Sequence, residues 1–263
     1  MTDKRQPEIV LYDLACIKNV CFSPVVWRIR LMLNYKRIPY KTVFLEFQDI
    51  EPTLKALDLK PHESVSPGQP RYTVPAIHHI PTDKHIMDSA AIANFLESVY
   101  PDPSVLLSSQ LGQEVESEAR RVIGTVYKTS LTPRELHILS PPTQQYFRRT
   151  REASLGHPLE ELVSGNKEEE VWNAASIDIR RVGEKLLTNE AKGPFLLGQK
   201  PSYTDFFIVG SLQCAKVNDE GVFEGDYRVS WLREDIQGLS APYRAEEGLI
   251  GRGSLRRIGL SCR

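Results

Sequence analysis

Two short stretches of this chain carry residues whose types and spacing can do chemistry. Ser23-Pro24 stands at the head of a helix-forming segment, and serine is a favoured N-cap while proline suits the first helical position. A hydroxyl there, together with unpaired backbone amides and the positive end of the helix dipole, stabilises an anion placed beside it. Cys21 lies two residues earlier; it is either a second candidate nucleophile or an inert buried thiol. Asp88-Ser89 leads into another helix, whose serine hydroxyl and free amides suit a carboxylate. For both serines helix capping alone is the plainer reading, and capping and binding are compatible.

Other chemistry finds less support. The four cysteines, Cys16, Cys21, Cys214 and Cys262, have neither a zinc-site spacing nor a Cys-x-x-Cys pair, so reduced thiols, no metal and no dithiol oxidoreductase are expected. His78 and His79 are adjacent and in a strand would point to opposite faces, which prevents them from chelating one ion.

The elements that must position these residues follow from pattern. Glu8 to Leu14 (EIVLYDL) reads as a first strand. A helix from Ser23-Pro24 through Lys36 follows, with Val26, Ile29 and Leu33 forming an apolar stripe and Arg28 and Arg30 between them, so one face is expected to be buried. Val43 to Phe47 reads as a second strand, completing a β-α-β unit with parallel strands, half of a thioredoxin-like motif. Glu51 to Leu59 is a candidate short helix and His62 to Pro70 a Pro/Gly/Ser-rich loop. Ala76 to Ile80 and Lys84 to Met87 flank Pro81-Thr82-Asp83 as an antiparallel hairpin. The helix after Asp88-Ser89 carries Ile92, Phe95, Leu96 and Val99 on one face, and Pro101-Asp102-Pro103 ends it.

Beyond Leu111 the texture changes to long charged helices over Leu111 to Leu131, Thr143 to Leu155 and Lys167 to Leu187. Ser202 and Asp205 have capping-box spacing before the apolar run Phe206 to Leu212. The fold class is therefore α/β plus all-α: a thioredoxin-like domain over 8–100, a linker over 101–110 and a helical bundle over 111–239. Residues 240–263, with four glycines, several arginines and no helical period, read as a poorly ordered tail.

Composition narrows the function class. The 263 residues, 41% hydrophobic, suffice for two cores, and 33 basic against 34 acidic residues give a formal charge of -1. No global field favours nucleic acid or an anionic membrane, so a small-molecule partner is the better expectation. The charged start and the lack of any apolar run near ~20 residues predict a cytoplasmic protein with no membrane span.

Taken together, the β-α-β-α-β-β-α order, Val74-Pro75 before a hairpin, Asp88-Ser89 before the next helix and the capping-box helix resemble the cytosolic glutathione transferase family. The phrases FSPVVWRIRLMLNYKRIPYKT, TVPAI and MDSAAIANFLESVYPD resemble its fungal, etherase-related branch, from about Ile9 to about Phe223. The resemblance implies glutathione as co-substrate. It implies that Val74, before a cis Pro75, presents its backbone to the cysteinyl part of glutathione as an added strand would. It implies that Asp88 and Ser89 receive the γ-glutamyl end and that Ser23 stabilises the thiolate, with Cys21 as the alternative if the loop register is shifted. His62, Arg71 and Gln48 lie in loops that could meet the glycyl carboxylate, and the sequence selects none of them. The implied activity is conjugation to, or cleavage of, a small electrophilic and possibly aromatic metabolite, in detoxification or secondary metabolism; the other reading is a non-catalytic binding or regulatory protein of the same fold. A homodimer is implied by the family alone.

Overall fold

Ile9–Leu14 (β1) is buried at all six positions, as expected of a strand with neighbours on both sides and helices on both faces. The computed structural model describes residues 6–62 and 71–226, and β1 is central in its four-stranded sheet, whose order is β2-β1-β3-β4. Pro24–Tyr35 forms α1 and Tyr40–Leu45 forms β2. β1 and β2 are parallel, from Ile9 opposite Tyr40 to Leu14 opposite Leu45. The second strand thus starts three residues earlier than the β-rich run suggested. Its limits are set by pairing with β1, and Phe47, read as strand, begins a 3-10 turn instead. Ile50–Ala56 is α2. Ala76–His79 (β3) and Lys84–Met87 (β4) form the expected hairpin, and β3 runs antiparallel to β1. Asp83 closes its turn at φ 52, a left-handed conformation that aspartate tolerates. Ser89–Val99 is α3.

The helical half comprises α4 (Gln110–Ser130), α5 (Thr132–Glu135), α6 (Pro141–Leu155), α7 (Lys167–Leu186), α8 (Tyr203–Asn218) and α9 (Glu220–Asp226). The Ser202–Asp205 capping box is present with both reciprocal bonds, and twelve of the sixteen residues of α8 are buried. α8 packs along α1 so closely that Gly210 faces the Pro24 carbonyl; a Cβ there would lie 2.8 Å from that oxygen. The expected tail over 240–263 lies outside the described residues.

Arg28 and Arg30, which fall between the apolar positions of α1, are themselves buried, 5% and 6% exposed. Each is held by an interior carboxylate. Arg30 donates to Asp13 Oδ2 from Nε at 3.1 Å and from Nη2 at 2.9 Å, and Arg28 pairs with Glu116 of α4. A buried charge is tolerable only when paired in this way. The adjacent histidines do point apart: His79 is buried and bonds the Tyr100 hydroxyl at 2.9 Å, while His78 stacks on His85 with ring centroids 4.3 Å apart.

Candidate functional site

The sheet register brings the sequence motifs to one end. Tyr12 of β1 lies opposite Ala76 of β3, and Ala76 lies opposite Met87 of β4. The segment leaving β1 toward Ser23, the Val74-Pro75 step entering β3 and the Asp88-Ser89 step leaving β4 therefore emerge at the same end of the sheet. Two helices, α1 and α3, begin there, so two positive dipole ends face one region.

At α1, Ser23 is the N-cap, extended at φ -76 and ψ 123, and its Oγ accepts from the Val26 N–H at 3.4 Å. Accepting that bond leaves the hydroxyl proton available for donation. Cys21 is placed differently. It is buried like Ser23, 4% against 6% exposed, but its Sγ donates to the Ser23 carbonyl at 3.6 Å. Burial, then the neighbouring Asp13 charge, holds its thiol well above the ordinary range. Beneath it Asp13, wholly buried, accepts from Arg30 and from the Leu14 N–H at 2.7 Å. Burial pushes the Asp13 carboxyl up, and the Arg30 guanidinium opposes that shift. The intervening loop is anchored to the helical half: Ile17 N–H donates to the Ile138 carbonyl at 2.8 Å and Lys18 Nζ to the Val217 carbonyl at 2.6 Å.

At the other two motifs the Val74-Pro75 bond is cis. Thr73 N–H reaches Met87 Sδ at 3.3 Å, and the Asp88 N–H reaches the Pro75 carbonyl at 3.3 Å. Asp88 caps α3, its Oδ1 accepting from Ala90 N–H at 2.9 Å and Ala91 N–H at 3.1 Å. It does so at φ 83, a conformation that costs a non-glycine residue about 1–3 kcal/mol and tends to persist at ligand clamps. Ser89, the first residue of α3, is half-buried.

The loop candidates for a further carboxylate divide. His62 and Arg71 form an antiparallel bridge, each N–H donating to the other's carbonyl at 2.9 Å. Gln48 is tied to the helical half, its Oε1 accepting from Thr143 Oγ1 at 3.1 Å. Among the described residues no three His, Cys, Asp or Glu side chains gather as a metal site, and no helix is long and apolar enough to cross a membrane.

Residues 22–99 match the glutathione S-transferase N-terminal domain family and residues 113–231 the C-terminal domain family. A glutathione S-transferase-like protein of Aspergillus flavus, ustS, is 32% identical over 255 residues, covering 87% of this chain and 89% of that protein. The chain belongs to the glutathione S-transferase family. Among solved members, a glutathione transferase of Phanerochaete chrysosporium superposes with a TM-score of 0.76 at 29% identity, covering 89% of this chain and 96% of that one. A Ceriporiopsis subvermispora enzyme crystallised with glutathione gives 0.71 at 29% identity, over 84% and 95%. The family fold, a thioredoxin-like half followed by a helical half, is the one described above.

Sequence reasoning missed three residues that join the halves of this glutathione S-transferase fold. The Tyr203 hydroxyl, at the start of α8, donates to the Ser89 carbonyl at 2.7 Å. The Arg28 guanidinium lies 3.4 Å from the Tyr203 ring centroid, and its Nε donates to the Tyr203 carbonyl at 3.2 Å. Glu116, besides pairing with Arg28, accepts from Thr204 Oγ1 at 3.2 Å. The capping-box pattern located Tyr203 at a helix start, but no local signal names partners more than eighty positions away.

Proposed function

We propose that this chain binds glutathione at the shared end of the sheet and uses its thiolate to attack a small electrophile. The observation that carries the reading is the convergence of two helix N-termini, capped by Ser23 and Asp88, on either side of Val74-Pro75. Glutathione has the matching chemistry: an ammonium and a carboxylate at its γ-glutamyl end, a peptide amide beside the cysteine, and a thiol to be ionised.

In this reading the Ser89 hydroxyl and backbone N–H donate to the γ-glutamyl carboxylate at the positive end of α3, and the second carboxylate oxygen of Asp88 accepts from the ammonium. The Val74 backbone pairs with the cysteinyl part as one more strand. The Ser23 hydroxyl donates to the sulfur, which with the α1 dipole lowers the thiol pKa and raises the thiolate fraction at neutral pH. The thiol proton leaves to solvent. The sulfur lone pair forms a C–S bond to the electrophile; in a substitution the bonding pair departs with the leaving group, and in an addition to an activated double bond the π pair moves onto the activating group and is protonated from solvent. Holding both reactants in place supplies much of the acceleration. Cys21 is the poorer nucleophile, since its burial beside Asp13 opposes ionisation.

The test is glutathione-dependent product formation by the purified protein with aromatic and quinone-like electrophiles, followed by mass spectrometry of the thioether. Turnover above the uncatalysed rate supports the enzyme. Saturable glutathione binding with no turnover across the panel would favour a binding protein of the same fold.

A further inference from the structure

We infer that Tyr203, contributed by the helical half, is a positioning residue for the γ-glutamyl end of glutathione, acting through the first turn of α3. This rests on the glutathione-binding reading above and adds a residue that neither the motifs nor the family comparison assigns.

The argument begins with what Tyr203 touches. Its hydroxyl donates to the Ser89 carbonyl at 2.7 Å, and Ser89 is the residue whose own hydroxyl and N–H are assigned to the carboxylate. The carbonyl has a second lone pair for this bond beyond the one directed along the helix. Fixing it fixes the Ser89–Ala90 peptide plane, and with it the backbone from which the Ser89 hydroxyl projects; the Ala90 N–H is already held by Asp88 Oδ1 at 2.9 Å. The bond is short and mostly sheltered, Tyr203 being 5% exposed, which increases its weight. Burial also pushes the phenol up from its usual range, so it stays a neutral donor at working pH.

Tyr203 is itself held on two sides. The Arg28 guanidinium covers its ring, with its charge carried by Glu116 of α4, and Arg28 Nε grips its backbone carbonyl. Arg28 sits on the helix that Ser23 caps. One chain of contacts, Glu116 to Arg28 to Tyr203 to Ser89, therefore runs through α4, α1, α8 and α3 and touches the helices of both proposed glutathione contacts. The thioredoxin-like half does not set the orientation of its Ser89 turn alone.

The experiment is a two-residue cycle on the full chain, with glutathione titrated calorimetrically into wild type, Tyr203→Phe, Ser89→Ala and the double variant, and with kcat and KM measured for any electrophile turned over. Losing one hydrogen bond predicts a Kd for glutathione raised about three- to tenfold in Tyr203→Phe, with kcat at saturating glutathione changed by less than about twofold. Because Tyr203 acts through Ser89, the double variant should be weaker than Ser89→Ala by less than about twofold. Unchanged affinity in Tyr203→Phe, or factors that multiply fully in the double variant, would overturn the inference while leaving glutathione binding intact. Failure of wild type to bind glutathione would instead remove the reading beneath it.

Discussion

Asp88 donates its backbone N–H to the Pro75 carbonyl at 3.3 Å, so the step into β3 and the cap of α3 are joined directly. Two motifs separated by twelve residues thereby form one rigid corner of the candidate site. Asp88 has two roles there that a substitution can separate. Asparagine also caps helices and also tolerates positive φ, but carries no charge. Asp88→Asn should therefore keep the thermal midpoint within about 2 °C while raising the Kd for glutathione about tenfold, the size of a lost charge-assisted bond. Calorimetry and a thermal melt on the same sample check both halves of the expectation.

Ser23 and Cys21 compete for the same chemistry and are distinguished by their surroundings. Ser23→Ala should lower kcat/KM at least several-fold, and its pH–rate profile should shift upward because the thiol ionises less readily without the hydroxyl donor. Cys21→Ala should leave the profile in place and cost about 1 kcal/mol of stability by loosening the core. A Cys21 variant that lost activity with Ser23→Ala unaffected would move the role to the thiol.

The Arg28–Glu116 pair should hold the two halves together. The side chains are 7% and 19% exposed, so Glu116→Ala strands a guanidinium in a nearly closed interior. Chemical denaturation should show a loss of about 2–4 kcal/mol. A loss under 0.5 kcal/mol would mean that water reaches Arg28 freely.

Glu135, at the end of α5, gives a pH signature. Burial pushes its carboxyl up from 4.5 to about 7, with Arg151 opposing the shift. A folded-state pKa above the unfolded one means that the native state holds the proton more tightly. The associated stability is present below about pH 4.5 and is lost as pH rises through about 7. Wild type should therefore fall in stability between these values more steeply than Glu135→Gln, by on the order of 1–2 kcal/mol after allowance for the partial exposure of the side chain. Thermal melts of the two proteins at pH 5 and pH 8 make the comparison.

What could be read in the sequence was local. Ser23-Pro24, Asp88-Ser89 and Ser202 with Asp205 declare helix starts through adjacent residues, and the hairpin declares itself through its turn; the structure places each as expected. The second strand was misplaced because β-propensity favoured Val43 to Phe47, whereas the pairing partner of β1 begins at Tyr40. The burial of Arg28 and Arg30 is not legible for a related reason: the carboxylates that make it tolerable, Glu116 and Asp13, lie on other elements. The Tyr203–Ser89 contact is of the same kind, since it exists only once the helical half has docked.

The central claim is that the corner formed by Val74-Pro75 and Asp88-Ser89 receives glutathione. Calorimetric titration of wild type and Ser89→Ala with reduced glutathione tests it most directly. The account predicts saturable 1:1 binding by wild type and a Kd at least several-fold weaker in the variant, with both proteins equally folded by circular dichroism. No binding by folded wild type, or equal affinity in the two proteins, would contradict it.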